Sequence, residues 1–103
     1  ELSTHEATLL INKHDAIVLD TRPAKEFNAG HILGARQIKP EEVREKNFKK
    51  LENSKDKPII VVCAMGNQAR GTANAMQKDG FANVNVLKGG MNAWQSASLP
   101  VSK

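Results

Sequence analysis

The sequence is poor in cysteine and in aromatic residues, and each shortage excludes a class of protein. A single cysteine, Cys63, cannot form an intramolecular disulfide, so the fold does not depend on oxidation. Three phenylalanines, one tryptophan and no tyrosine supply little for stacking on nucleic-acid bases. No apolar run is long enough to cross a bilayer. Repeats and low-complexity tracts are absent as well, and the 103 residues with 40% hydrophobic content predict one domain over residues 1–103.

Neither charges of one sign nor histidines are clustered along the chain. The net charge is +4, but acidic residues alternate with the basic ones between Lys39 and Lys57, as on a solvated helix face. We therefore expect no nucleic-acid partner. The three histidines are scattered along the chain, which argues against a zinc site.

Helical and strand patterns alternate along the chain. Ser3 and Glu6 form a capping box that predicts a helix to about Lys13. The remaining segments are a buried strand over 16–21, a short helix opened by Pro23 and ending at Gly30, a turn and short strand within 31–38, a polar helix over 40–51, a strand over 59–62, a helix over 68–78, a strand over 84–87 and a helix over 91–97. This alternation predicts an α/β fold in which a central parallel β-sheet carries helices on both faces.

Cys63 follows the apolar run 59–62 and precedes a short loop and a helix. In such a strand, loop and helix arrangement, loop amides and the helix N-terminus favour negative charge, which makes a thiol there more reactive. A buried structural cysteine is the alternative interpretation, and this segment alone does not decide between them. Asp20 and Lys88 are also expected at carboxyl ends of strands, where ligands bind in parallel sheets.

Four motifs give the chain a family resemblance. They are Val18-Leu19-Asp20-Thr21-Arg22 with Glu26-Phe27, Gly30-His31-Ile32-Leu33-Gly34-Ala35, the six-residue loop from Cys63 to Gln68, and Leu87-Lys88-Gly89-Gly90-Met91 with Trp94. In order and spacing the chain resembles a single-domain rhodanese, a sulfurtransferase. Leu33 and Met91 depart from the pattern, because the family usually has proline and an aromatic residue there. The chain most resembles bacterial members that carry an N-terminal membrane anchor.

The resemblance implies a mechanism and a set of site residues. Cys63 would be the catalytic nucleophile and would carry sulfur as a persulfide. The backbone amides of the loop would bind substrate, namely those of Ala64, Met65, Gly66, Asn67, Gln68 and Ala69. Asp20 and Arg22 would brace the loop. No metal or organic cofactor is implied.

The resemblance also implies partners and a location. The expected partners are a small-molecule sulfur donor, such as thiosulfate or a persulfide, and a thiol or protein acceptor. A cytoplasmic location is expected, and a tether to the inner membrane through a segment ahead of Glu1 is left open.

Several interpretations remain open on the sequence alone. The loop side chains are neutral, which predicts weak thiosulfate binding and favours a persulfide or polysulfide donor. A cysteine phosphatase or arsenate reductase is a less favoured alternative, because the phosphatase would need arginine where Ala69 stands and Arg70 lies one residue too far along. A non-catalytic docking module is the other alternative, although such modules usually lack the cysteine. Arg36 and Lys88 are candidates for positive charge near the site, and Glu26 for an ion-pair network with Asp20 and Arg22.

Overall fold

The fold alternates helices and strands in the order that the sequence predicts. The computed structural model describes residues 1–45, 47–65 and 68–103. Its elements are α1 (Thr4–His14), β1 (Ile17–Asp20), α2 (Ala24–Ala29), β2 (His31–Ile32), β3 (Arg36–Gln37), α3 (Pro40–Arg44), a 3-10 helix (Lys49–Ser54), β4 (Ile59–Val62), α4 (Ala69–Lys78), β5 (Val84–Val86), α5 (Gly90–Ser96) and β6 (Val101–Ser102).

Four strands form a central parallel sheet in the order β3-β1-β4-β5. The register pairs Asp20 at the end of β1 with Val62 at the end of β4. The two strands therefore end at the same edge of the sheet. The predicted α/β fold with a central parallel sheet is confirmed.

Alternate residues of β4 enter two separate cores. Ile59 and Val61 pack with Met76 of α4 on one face, whereas Ile60 and Val62 pack with α1 and with Trp94 of α5 on the other. All four β4 side chains are fully buried, and each contributes about 1.5–3 kcal/mol of hydrophobic stabilisation. The prediction of helices on both faces is confirmed.

The first helix begins as its sequence predicts. The backbone N–H of Glu6 donates to Oγ of Ser3 over 3.1 Å, and the N–H of Ser3 donates to Oε1 of Glu6 over 3.0 Å. The hydrogen bond that the Ser3 N–H donates to the carboxylate is the largest cause that lowers the pKa of Glu6. The capping box thus fixes the start of α1.

The predicted polar helix over 40–51 is divided in two. The helix α3 ends at Arg44, and the 3-10 helix begins at Lys49. Between them Phe48, 2% exposed, turns inward and meets the ring of Phe81 edge-on at 6.0 Å between centroids. Burial of this ring outweighs continuation of the helix. Lys46 lies outside the described residues.

The C-terminal segment forms a strand that the sequence pattern does not reveal. The strand β6 pairs antiparallel with β2, and the indole N–H of Trp94 donates to the Pro100 carbonyl over 3.0 Å. Two-residue strands are too short to show an alternating pattern, so their pairing is visible only in the folded chain.

Within the described ranges, no helix combines the length and the apolar character that a bilayer crossing requires. The location and the N-terminal tether stay predictions from the resemblance.

Candidate functional site

Cys63 lies at the carboxyl edge of the central sheet, one residue beyond β4. It is 3% exposed. It contributes to the wall of an open cleft of about 330 Å³, whose lining residues are Pro23, Glu26, Cys63, Ala64, Met65 and Gln68. The sequence predicts this edge of the sheet as the ligand site, and the cleft is where a reactant could approach the sulfur.

The start of α5 holds the backbone around the cysteine. The amide of Met91 donates to the Cys63 carbonyl over 2.8 Å, and the amide of Asn92 donates to the Ala64 carbonyl over 3.1 Å. This approach is so close that a Cβ at Gly90 would overlap the Cys63 carbonyl oxygen and lie 2.8 Å from the Ala64 carbonyl carbon. Gly90 also has φ of +57°, a left-handed conformation that favours glycine. The sequence places this glycine in one of the family motifs, but no local pattern predicts its contact with the cysteine.

Thr21 holds the residue immediately before the cysteine. Its backbone N–H and its hydroxyl both donate to the Val62 carbonyl, over 2.8 and 3.0 Å. No pattern in the sequence predicted a separate role for Thr21. Its signal was its place directly after a buried strand, where a short hydroxyl side chain can reach across to the neighbouring strand end.

Asp20 and Arg22 form a buried ion pair. Nη2 of Arg22 donates to Oδ2 of Asp20 over 2.8 Å, and Nε lies 3.0 and 3.1 Å from the two carboxylate oxygens. The same Nη2 donates to the Gly30 carbonyl over 2.7 Å. The pair therefore ties β1 to the end of α2, which carries Glu26 into the cleft. That it also braces the cysteine loop stays a prediction.

Four of the six predicted loop residues fall in the described part of the chain. Ala64, Met65 and Gln68 line the cleft, and Met65 is 62% exposed. The side chain of Ala69 is fully buried in the core beneath the loop, so only its backbone could face a ligand. Gly66 and Asn67 lie outside the described residues.

Of the other candidate charges, only Glu26 lines the cleft. Nη2 of Arg70 donates to Oε2 of Glu1 over 2.8 Å, a hydrogen bond that lowers the pKa of Glu1 and raises that of Arg70. Arg36 and Lys88 are exposed but are not among the lining residues of the cleft. Glu26 is exposed and takes no part in the Asp20–Arg22 pair. Of the described lining residues, Glu26 alone is charged.

His31 is occupied by structural contacts. Its ring stacks on Phe27 with centroids 3.9 Å apart, and its Nδ1 lies 2.8 Å from the Phe27 carbonyl oxygen. Among the described residues, no three histidine, cysteine or acidic side chains converge as metal ligands would. The described chemistry of the cleft therefore centres on one thiol.

Known proteins are similar to this chain in sequence. The chain is 48% identical to the uncharacterized protein YibN of Escherichia coli K12, over 93% of this chain and 67% of that protein. It is 31% identical to the thiosulfate sulfurtransferase GlpE of Pseudoalteromonas translucida, over 93% of this chain and 89% of that enzyme.

Two solved structures superimpose on nearly the whole chain. A rhodanese-related protein from Thermoplasma volcanium matches with a TM-score of 0.84 and 29% identity, over 99% of this chain and 96% of its own. A Rhodopseudomonas palustris protein of unknown function, described as a possible tyrosine phosphatase, matches with a TM-score of 0.84 and 25% identity, over 98% and 83%. The family model for the rhodanese-like domain matches residues 3–97. With the parallel sheet and the cysteine at its carboxyl edge, this match places the chain in the rhodanese-like domain family.

Proposed function

We propose that the chain is a sulfurtransferase that moves a sulfane sulfur from a donor to a thiophilic acceptor through a persulfide on Cys63. One observation carries the proposal: the only cysteine lies at the carboxyl edge of the sheet, on an open cleft, with its carbonyl fixed by the Met91 amide. A donor can reach the sulfur while the backbone that bears it is held in place. Residues 1–103 would act as one rhodanese domain.

The proposed reaction has two balanced steps. The Cys63 thiolate attacks the outer sulfur of thiosulfate, a new S–S bond forms, and sulfite leaves with the electron pair of the broken S–S bond. The acceptor, a thiolate or cyanide, then attacks the outer sulfur of the persulfide and regenerates the Cys63 thiolate. This is covalent ping-pong catalysis, and one nucleophile suffices for it. No metal or organic cofactor takes part.

Backbone amides would stabilise the negative persulfide. The loop from Ala64 to Ala69 leads into α4, whose N-terminal amides carry partial positive charge. The absence of cationic side chains from the described cleft lining favours a persulfide or polysulfide over thiosulfate as the physiological donor, because thiosulfate gains most from charge-assisted hydrogen bonds. A thiol or a partner protein would be the acceptor.

A phosphatase is disfavoured by the position of the arginine. Cysteine phosphatases bind phosphate with the planar fork of an arginine six residues after the cysteine. Here that position is the buried Ala69, and the next residue, Arg70, binds Glu1.

Intact mass spectrometry tests the proposal directly. The reduced protein is incubated with thiosulfate or with glutathione persulfide, beside the variant Cys63→Ser. We expect a gain of one sulfur atom that is absent from the variant and lost on addition of cyanide, which releases thiocyanate. Loss to cyanide matters because oxidation to a sulfinic acid adds nearly the same mass but persists.

If the folded protein with a reduced thiol gains no sulfur from any donor, the sulfurtransferase proposal is wrong. The docking module would then become the leading interpretation.

A further inference from the structure

Glu26 is the charged group that faces the reactant cleft. It extends from α2 and lines the cleft together with Cys63, Met65 and Gln68. No hydrogen bond or ion pair joins its side chain to another residue that the structure describes. Its carboxylate places a negative charge on the lining of the cleft.

Two arginines that could offset this charge are bound to other groups. Arg22 lies close in sequence, but its guanidinium is engaged by both Asp20 oxygens and by the Gly30 carbonyl. Arg70, at the start of α4, binds Glu1. A donor in the cleft therefore approaches the thiol in the presence of the Glu26 carboxylate.

We propose that Glu26 is a specificity-determining residue that penalises reactants in proportion to their negative charge. The biological meaning of this inference rests on the proposed function, because Glu26 would select among sulfur donors. Thiosulfate carries two negative charges, whereas an organic thiosulfonate presents the same kind of sulfane sulfur with one. Coulomb repulsion is linear in charge, so the factor by which Glu26 slows a dianion is the square of the factor for a monoanion.

The apolar part of the cleft fits the same selection. Met65 is 62% exposed and Pro23 is also exposed, so both offer apolar contact to an organic group attached to the sulfur. Thiosulfate has no such group. Charge and surface thus both favour an organic donor of low negative charge.

Alkylation of Cys63 tests the inference without relying on sulfur transfer. Iodoacetate and iodoacetamide are close in shape, and the thiolate displaces iodide from both, but only iodoacetate is negative. The ratio of their rate constants cancels any change in the reactivity of the thiolate itself. We expect Glu26→Gln to raise the iodoacetate to iodoacetamide ratio by about threefold at low salt, and Glu26→Lys to raise it further.

Salt dependence and a control variant show whether the charge of Glu26 causes the change in the ratio of rate constants. The effect of Glu26→Gln should shrink at 1 M salt, where the screening length falls to about 3 Å. Glu52→Gln is the control, since it removes the same charge from a side chain paired with Lys55 near the opposite end of the sheet. It should leave the ratio unchanged. An unchanged ratio in both Glu26 variants, or an equal rise in Glu52→Gln, would overturn the inference.

Sulfur loading then connects the charge effect to the reaction. Persulfide formation from thiosulfate should accelerate by about tenfold in Glu26→Gln, and that from benzenethiosulfonate by about threefold. Equal acceleration for both donors would overturn the charge selection. If alkylation shows the expected ratios but no donor loads sulfur, the proposed function fails while the electrostatic role of Glu26 stands.

Discussion

The backbone amide of Met91 donates a 2.8 Å hydrogen bond to the carbonyl oxygen of Cys63. The two residues are 28 positions apart in the chain, yet this bond places the N-terminus of α5 directly beneath the reactive loop. Such proximity is possible only because Gly90 has no side chain.

Replacement of Gly90 by alanine should destabilise the fold by about 2–4 kcal/mol, because left-handed strain adds to overlap with the Cys63 carbonyl. Sulfur loading should fall at temperatures where the variant is still folded. Chemical denaturation and intact mass spectrometry measure the two effects.

Variants of two other glycines separate the effect of left-handed backbone strain from that of overlap with the Cys63 carbonyl. Gly34→Ala has the strain of φ +82° but no neighbouring atom within 4 Å, so its cost should be smaller. Gly71→Ala, in the exposed part of α4 and with open space around it, should stabilise the protein by about 0.5–1 kcal/mol. Equal effects of Gly90→Ala and Gly34→Ala would show that the contact with Cys63 is unimportant.

The buried pair of Asp20 and Arg22 should be costly to break. Asp20→Asn leaves the guanidinium without its charge partner, and Arg22→Met leaves a carboxylate that is 1% exposed, so each should cost about 3–5 kcal/mol. The double variant should lose less than the sum of the two, which denaturant titration of the four proteins would show. Strict additivity would mean that the pair is not energetically coupled.

Thr21 offers a conservative test of the strand end before the cysteine. Thr21→Val keeps the shape but loses the hydroxyl bond to the Val62 carbonyl, which should cost about 1 kcal/mol. Thr21→Ser keeps the hydroxyl and should retain that contribution. Urea denaturation compares the three proteins, and a valine variant as stable as the wild type would contradict the prediction.

The capping box should make stability depend on acidity. The hydrogen bonds from the backbone N–H and then the hydroxyl of Ser3 lower the pKa of Glu6, so its stabilising effect is fully present above the unfolded pKa of about 4.3. It is lost as the pH falls through the lower folded pKa, since the unfolded state binds the proton first. The stability advantage of the wild type over Glu6→Gln should therefore shrink from about pH 5 downward. A difference that is constant over this range would exclude ionisation of Glu6 as its source.

Local patterns in the sequence predicted much of this fold. Ser3 and Glu6 predict the start of α1 because both capping hydrogen bonds are made within four residues. The run 59–62 predicts β4 because a strand buried on both faces needs apolar residues at successive positions. The position of Cys63 at the carboxyl edge then follows from the order of the elements.

The features that escaped prediction depend on distant contacts. Phe48 ends a helical pattern because Phe81, 33 residues later, offers a place to bury its ring. The place of Glu26 in the same cleft as Cys63 depends on how Arg22 ties α2 to the sheet. No local signal in either segment encodes these contacts.

The fold holds the cysteine by its main chain. Thr21 binds the Val62 carbonyl, and α5 binds the carbonyls of Cys63 and Ala64. None of these bonds uses the side chain of Met65 or Gln68, both of which are exposed in the cleft. If the proposed function holds, exchange of these two side chains should therefore change which sulfur compound is accepted, while the same backbone contacts keep the thiol in place.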